Sequence, residues 1–182
     1  ENKIKNLILN FSKNQKIKNY KKKNFYMVLR VIKNERIKKE SFQFHFDAHL
    51  ITLLIPIFIP NRKNSNNGHL FIGPNMRKLT NSIIYNIFQK IYYQKILPII
   101  IGHNNLINFL KLNKVILKPR SAFLFNGFRS LHGNADIDTR DTRATLLVHF
   151  SDIFEDSNLV KLNRQIRIWK ENIRVKKNIN DR

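Results

Sequence analysis

His45 and Asp47 stand two residues apart in FHFDAHLITLLIP, and His132 lies far downstream in FRSLHGN. Arg143 and Thr145 follow His132 by eleven and thirteen residues, in RATLLVHF. Residues two apart on a strand point to the same side. His45 and Asp47 can therefore offer two adjacent donors to one ion, with His132 as the third. Two imidazoles and one carboxylate suit Fe(II) and leave up to three coordination positions open for chemistry. Arg143 and Thr145 also share parity. A guanidinium fork beside a hydroxyl is well shaped for a carboxylate. An arginine inside an apolar strand is costly without an anion, so an acidic ligand is expected there.

These residues need strands to position them. FYMVLRVI, residues 25–32, reads as a strand, and NERIKKES as a polar turn. From Ser41 the chain alternates, with Phe42, Phe44, Phe46 and Ala48 on one face and Gln43, His45, Asp47 and His49 on the other. Period two predicts a strand through the candidate pair. ITLLIPIFIP continues it as a more buried strand, its edge or end marked by Pro56 and Pro60. Residues 61–68, NRKNSNNG, form a loop by turn chemistry. HLFIGPN is a short strand stopped at Gly73-Pro74. VILKP and SAFLFNGF read as two strands around Lys118-Pro119-Arg120. His132 comes near the end of the second, at a strand edge. GNADIDTRDT is a polar hairpin loop, and RATLLVHF is the last clear strand.

Helical spacing interrupts this pattern. Residues 79–95 predict a helix with Ile83, Ile84, Ile87, Phe88 and Ile91 as its apolar stripe, within an insertion spanning 79–112. From Ser157, Leu159, Leu162, Ile166, Trp169 and Ile173 recur at 3-4-3-4 spacing, with Lys161, Arg164, Arg167, Lys170 and Arg174 off the stripe. This predicts a C-terminal helix packing across the domain or a neighbouring subunit; the sharper alternative is a basic helix for nucleic acid or membranes. The fold class is mainly β with helices, a sandwich or barrel rather than a parallel α/β sheet. The organisation is a basic N-terminal segment at 1–24, helical or frayed, a core at 25–155, and a basic helix and tail at 156–182.

Composition bounds the functions. The 182 residues are 42% hydrophobic, enough for one domain with a real core. A first residue Glu1 rather than Met suggests a fragment or trimmed chain. The net charge of +22 fits an anionic partner such as nucleic acid or acidic lipid. It fits equally the codon usage of an AT-rich genome, which favours Lys, Asn, Ile and Phe. The basic residues are spread along the chain apart from Lys21–Lys23, and this supports the compositional origin. The absence of cysteine excludes disulfides, cysteine zinc sites and thiol nucleophiles. No glycine-rich phosphate loop supports nucleotide binding. There is no signal-peptide pattern, and the apolar run Leu50–Pro60 is too short to span a bilayer. A soluble cytoplasmic protein is the expectation, with oligomeric state open.

The ordered segments FHFDAHLITLLIP, NNGHLFIGPN, VILKPRSAFLFNGFRSLHGN and RATLLVHF resemble the Fe(II)/2-oxoglutarate-dependent oxygenases, in particular the phytanoyl/prolyl-hydroxylase-like type. The resemblance covers roughly residues 25–150. It implies a double-stranded β-helix, a jelly-roll or cupin-like core. It implies Fe(II) held by His45, Asp47 and His132, and 2-oxoglutarate held by Arg143 and Thr145. It also implies a dioxygenase that consumes O2, hydroxylates an undetermined small molecule and releases succinate and CO2. Asp47 favours hydroxylation over halogenation, because halogenating members lack the carboxylate ligand. No catalytic side chain beyond the metal centre is required. The 79–112 insertion matches no element of that family.

Other polar residues carry weaker readings. His49 and His149 have the ligands' parity and read as structural or as hydrogen-bond partners of the ligands. His69 and His103 read as surface residues. Arg129 could touch substrate or cosubstrate, or form a surface ion pair. Thr52 reads as an ordinary strand threonine. Two other function classes compete: a basic nucleic-acid-binding protein, and an inactive cupin-like metal-binding scaffold. The additional arginine motif of base-repair dioxygenases is absent after Arg143.

Overall fold

The computed structural model describes residues 2–14, 24–33, 41–62, 67–80, 82–138, 140–158, 160–162, 165, 166, 169 and 173. The Lys21–Lys23 run, the turn at 34–40 and the tail from 174 lie outside them. The described residues form two antiparallel sheets with helices on either side. One sheet has the order β1 (Phe25–Lys33), β7 (Thr142–Asp152), β2 (His49–Phe58), β5 (Phe123–Phe125). The other has the order β4 (Asn113–Val115), β3 (Leu70–Gly73), β6 (Leu131–Asn134). A further extended segment lies beside β6. There the Phe42 amide donates to the Asn134 carbonyl at 2.7 Å, and His45 and His132 exchange backbone hydrogen bonds at 2.8 and 3.0 Å.

The alternation from Ser41 therefore does not make one long strand. Only His45 pairs as an isolated bridge, and β2 begins at His49. The cause is a change of sheet. Phe42 takes a left-handed φ of 54°, and the Asp47 amide leaves β6 to donate to the Gly127 carbonyl at 3.0 Å. Asp47 sits at this crossover. Pro56 does not end β2 either. It lies at a register irregularity within the strand, beyond the three residues, Thr52–Leu54, that pair with β5. Its missing N–H leaves no gap in the β5 ladder. His132 lies in β6, the last strand of the smaller sheet, and Gly133 and Asn134, expected to open the hairpin loop, continue that strand.

Burial divides into layers. Both faces of β2 are buried, which accounts for its nearly continuous apolar run. Ile51, Leu53, Val148 and Phe150 face outward and pack against Ile8 of helix α1 (Asn2–Asn14). Leu54, Leu70, Ile72, Leu117 and Phe125 fill the space between the sheets. Phe44, Phe46, Phe71 and Leu131 carry the insertion through Leu97, Leu106 and Leu112.

The helix expected over 79–95 begins at Ile83, and the helical backbone runs on to Ile101 through one wider turn. Ser82 caps α2 (Ile83–Ile91) by accepting from the Tyr85 amide at 3.3 Å. A wider turn, Tyr92–Ile96, leads into α3 (Leu97–Ile101) and α4 (His103–Phe109). Gly102 between these two has φ 84°, open to glycine without strain. Of the expected apolar stripe, Ile83 packs against the core and the other four face outward. Ile84 is 78% exposed, and Ile87, Phe88 and Ile91 are exposed too, whereas Asn86 is buried. Asn86 faces inward because a buried guanidinium, Arg77, waits beneath it.

The C-terminal stripe is likewise outward. Leu162, Ile166, Trp169 and Ile173 are all exposed, Trp169 by 62%. Helix α1 already covers the outward sheet face, and among the described residues of the C-terminal segment only Val160 packs against the cluster there. Leu159 and the arginines at 164, 167 and 174, with Lys170, lie outside the described residues.

Candidate metal centre

Three side chains meet where the two sheets are bridged. Candidate donor atoms of His45, Asp47 and His132 all lie within 4.8 Å of one another. His45 comes from the bridged segment, Asp47 from the crossover and His132 from β6. Asp47 Oδ1 is 3.7 Å from His45 Nε2 and 3.6 Å from His132 Nε2. The side chains of Asp47 and His132 are 10% and 9% exposed, and that of His45 is 33% exposed, on the open side.

Backbone carbonyls fix the ring tautomers. His45 Nδ1 is 2.9 Å from the Gln43 carbonyl oxygen, and His132 Nδ1 is 2.9 Å from that of Ser130. A carbonyl only accepts, so each Nδ1 carries the hydrogen. Each Nε2 then turns a lone pair toward Asp47 Oδ1. Three electron-rich atoms facing one another repel unless a cation lies among them. That cation is a proton or a metal ion, and holding a ligand histidine through its other nitrogen is how metal sites are built.

The titration behaviour follows. Burial and the neighbouring His132 push His45 down to about 4, against the pull of Asp47. Burial alone would raise Asp47, but the surrounding imidazoles, His132 foremost, hold its carboxyl well below its ordinary range. Burial also works to lower His132, yet Asp47 outweighs it and the imidazole is raised. The pair thus keeps a negative oxygen facing an imidazole that holds its proton more firmly than a free one does.

One rung of the four-stranded sheet lies beneath this cluster. Tyr26 pairs with His149, His149 with Thr52, and Thr52 with Phe125, across β1, β7, β2 and β5. Thr52 is 1% exposed, and its hydroxyl lies 2.5 Å from Asp47 Oδ2 and 3.0 Å from His149 Nδ1. It is no ordinary strand threonine. His149 stacks on His49 at 4.6 Å and on Tyr26 at 6.4 Å, and burial lowers its pKa. Phe125 meets the His132 ring edge-on at 4.9 Å. Parity in RATLLVH was the signal for His149, which shares a face of β7 with Arg143 and Thr145; Thr52, five residues after Asp47, has the opposite parity and comes inward through the change of sheet before β2.

Arg143 and Thr145 are both buried on that face of β7, which continues through Leu147 to His149. At about 3.3 Å per residue they stand roughly 20 and 13 Å along the strand from His149. Arg143 Nη1 donates to the Gly68 carbonyl at 3.0 Å, so a neutral acceptor meets part of its demand. Gly68 has φ 65°, and a Cβ there would press on the Arg143 side chain. The remaining candidates fall into structural roles. His69 is half-buried and accepts from the Leu117 amide at 3.1 Å, tying the end of β4 to β3. Arg129 Nε donates to the Arg77 carbonyl at 2.9 Å. The side chain of His103 lies outside the described residues. No helix of the described residues is long and apolar enough to cross a membrane.

No protein-family model matches the chain, and no curated protein does. Among solved structures it is similar to a prolyl 4-hydroxylase from Phytophthora capsici, at 10% identity and TM-score 0.48, over 84% of this chain and 41% of that one. It is similar to the non-heme alpha-ketoglutarate-dependent epimerase SnoN of nogalamycin biosynthesis, at 14% identity and TM-score 0.35, over 69% and 45%. A third is the IMPa metallopeptidase from Pseudomonas aeruginosa, at 8% identity and TM-score 0.29, over 71% and 12%. The chain spans about two fifths of the first structure's length.

Proposed function

We propose that this chain is the double-stranded β-helix core of an Fe(II)- and 2-oxoglutarate-dependent dioxygenase that hydroxylates a small molecule. The observation that carries the reading is the meeting of His45 Nε2, His132 Nε2 and Asp47 Oδ1, with both Nδ1 atoms anchored on carbonyls. The donor set fits the ion: two neutral imidazoles and one carboxylate on one side leave the other side open. Two antiparallel sheets, one of four strands and one of three with the bridged segment beside β6, support the fold reading. Bound iron with its oxo-acid would supply the oxidising chemistry, coupling O2 use to decarboxylation of 2-oxoglutarate to succinate. The chain's own residues do the rest. His45, Asp47 and His132 would hold the ion, and Arg143 with Thr145 would hold the distal carboxylate. Phe125 and Leu147, with the apolar cluster between the sheets, keep water from the space between.

The test is spectroscopic. Fe(II) and 2-oxoglutarate added anaerobically should produce a visible metal-to-ligand charge-transfer band. His132→Ala should abolish it and Arg143→Ala should weaken it. No band from the wild-type chain, together with salt-sensitive nucleic-acid binding, sinks the proposal in favour of a basic nucleic-acid-binding protein. Metal binding without any 2-oxoglutarate effect would instead indicate a metal-binding scaffold.

A further inference from the structure

We propose that Thr52 and His149 are positioning residues that make Asp47 a one-oxygen ligand, with Oδ1 toward the metal and Oδ2 withheld from it. This rests on the metal reading above. The argument starts from proton counting. An ionised carboxylate only accepts, so the 2.5 Å contact with Oδ2 uses the single hydroxyl proton of Thr52. Thr52 Oγ1 must then accept at its other contact. His149 Nδ1, 3.0 Å away, must be the protonated nitrogen. The chain of donors runs His149 to Thr52 to Asp47. His149 Nδ1 is itself 3.9 Å from Oδ2, too far to do the job directly.

Packing holds the relay in place. Thr52 and His149 face each other as register partners on central strands. The His149 ring is fixed in plane by His49 and Tyr26, both within 20° of parallel to it. Gly127 closes the remaining side, because a Cβ there would overlap both Asp47 Oδ2 and Thr52 Oγ1. Its carbonyl also anchors the Asp47 amide. The carboxylate therefore cannot turn to offer both oxygens. With one oxygen committed, the third open position stays available for a ligand from solution.

The test has two arms on the full chain. In the first, nitrogen-15 NMR of the metal-free protein reads the His149 tautomer. The expected result is the Nδ1–H form in wild type and in Thr52→Ser, lost in Thr52→Val. In the second, Co(II) is titrated as a spectroscopic stand-in for Fe(II). Thr52→Val and Gly127→Ala should weaken Co(II) binding about tenfold or more and shift the d–d band. Thr52→Ser, which keeps the hydroxyl, should stay near wild type, and His149→Phe should fall between. An Nε2–H tautomer in wild type overturns the relay while leaving the metal reading intact. So does a Thr52→Val protein with wild-type affinity and spectrum. If Thr52→Val does not fold, His149→Phe carries the same decision. A wild-type chain that binds neither Co(II) nor Fe(II) removes the metal reading, and the inference with it.

Discussion

Arg77 and Arg143 are both 3% exposed, yet the protein accommodates them differently. Arg77 lies between two aromatic rings, its guanidinium carbon 4.2 Å from the Phe46 centroid and 3.8 Å from that of Phe128. Its Nε donates to the Phe128 carbonyl at 2.5 Å, and Nη1 donates to Asn86 at 2.8 Å and Gln89 at 3.3 Å. Burial lowers its pKa to about 10, against the pull of the Asp47 charge. Arg143 instead donates through Nη1 to the Gly68 carbonyl. The comparison corrects a simple rule. A buried arginine does not by itself demand an anion, since ring faces and amide oxygens can meet the need. The carboxylate role proposed for Arg143 then rests on its place beside Thr145 on the inward face, and burial alone is too weak a reason.

Five variants break or sharpen this contrast. Arg77→Ala has the largest expected effect, a loss of about 3–5 kcal/mol, because it strands the Phe128 carbonyl and Asn86 inside the protein. Urea unfolding measures it, and a loss under about 1 kcal/mol would mean Arg77 is not the pin between insertion and core. Arg143→Ala should lose about a hundredfold in 2-oxoglutarate affinity, near 2.7 kcal/mol, with a smaller loss of stability. Calorimetry with the Fe(II)-loaded protein reads the affinity. If stability falls as far as in Arg77→Ala while affinity holds, the two arginines are alike after all.

Lysine substitution separates them again. Arg77→Lys should still cost about 2 kcal/mol, since an ammonium cannot fork between carbonyl and amide while stacking on two rings. Arg143→Lys should keep part of the carboxylate binding, and equal damage at both positions would remove the distinction. The smallest effect is expected from Ser82→Ala, about 1 kcal/mol, by uncapping the helix that presents Asn86 and Gln89 to Arg77. Thermal unfolding in the Arg77→Ala background tests the link. A Ser82→Ala cost undiminished there shows that cap and pin are independent.

The legible part of the fold was the part governed by local pattern. Strands at Phe25–Lys33, Leu70–Gly73 and Phe123–Phe125, and the turns after Gly73 and at Pro119, follow from β-branched runs and turn residues. The alternation at 41–49 did show which residues share a face. It did not show that the chain changes sheets there, because that depends on Gly127 and Asn134, about eighty residues away. The helical stripe Ile84, Ile87, Phe88 and Ile91 misled for a related reason. Apolar periodicity assumes an apolar surface beneath, and here the surface presents Arg77. Nothing near Arg77 in sequence signals this role, since Asn86, Phe46 and Phe128 meet it only in the fold.

By itself the sequence determined which side chains are available for chemistry and which of them share a strand face. His45 with Asp47, and Arg143 with Thr145, follow from a period of two. Tertiary structure alone decided that His132 meets the first pair, that both Nδ1 atoms rest on carbonyls, and that Thr52 and His149 hold the second carboxylate oxygen. The reason is physical. Parity is a property of neighbouring residues, whereas convergence of donors depends on strand pairing between segments some eighty to a hundred residues apart, which no local pattern records.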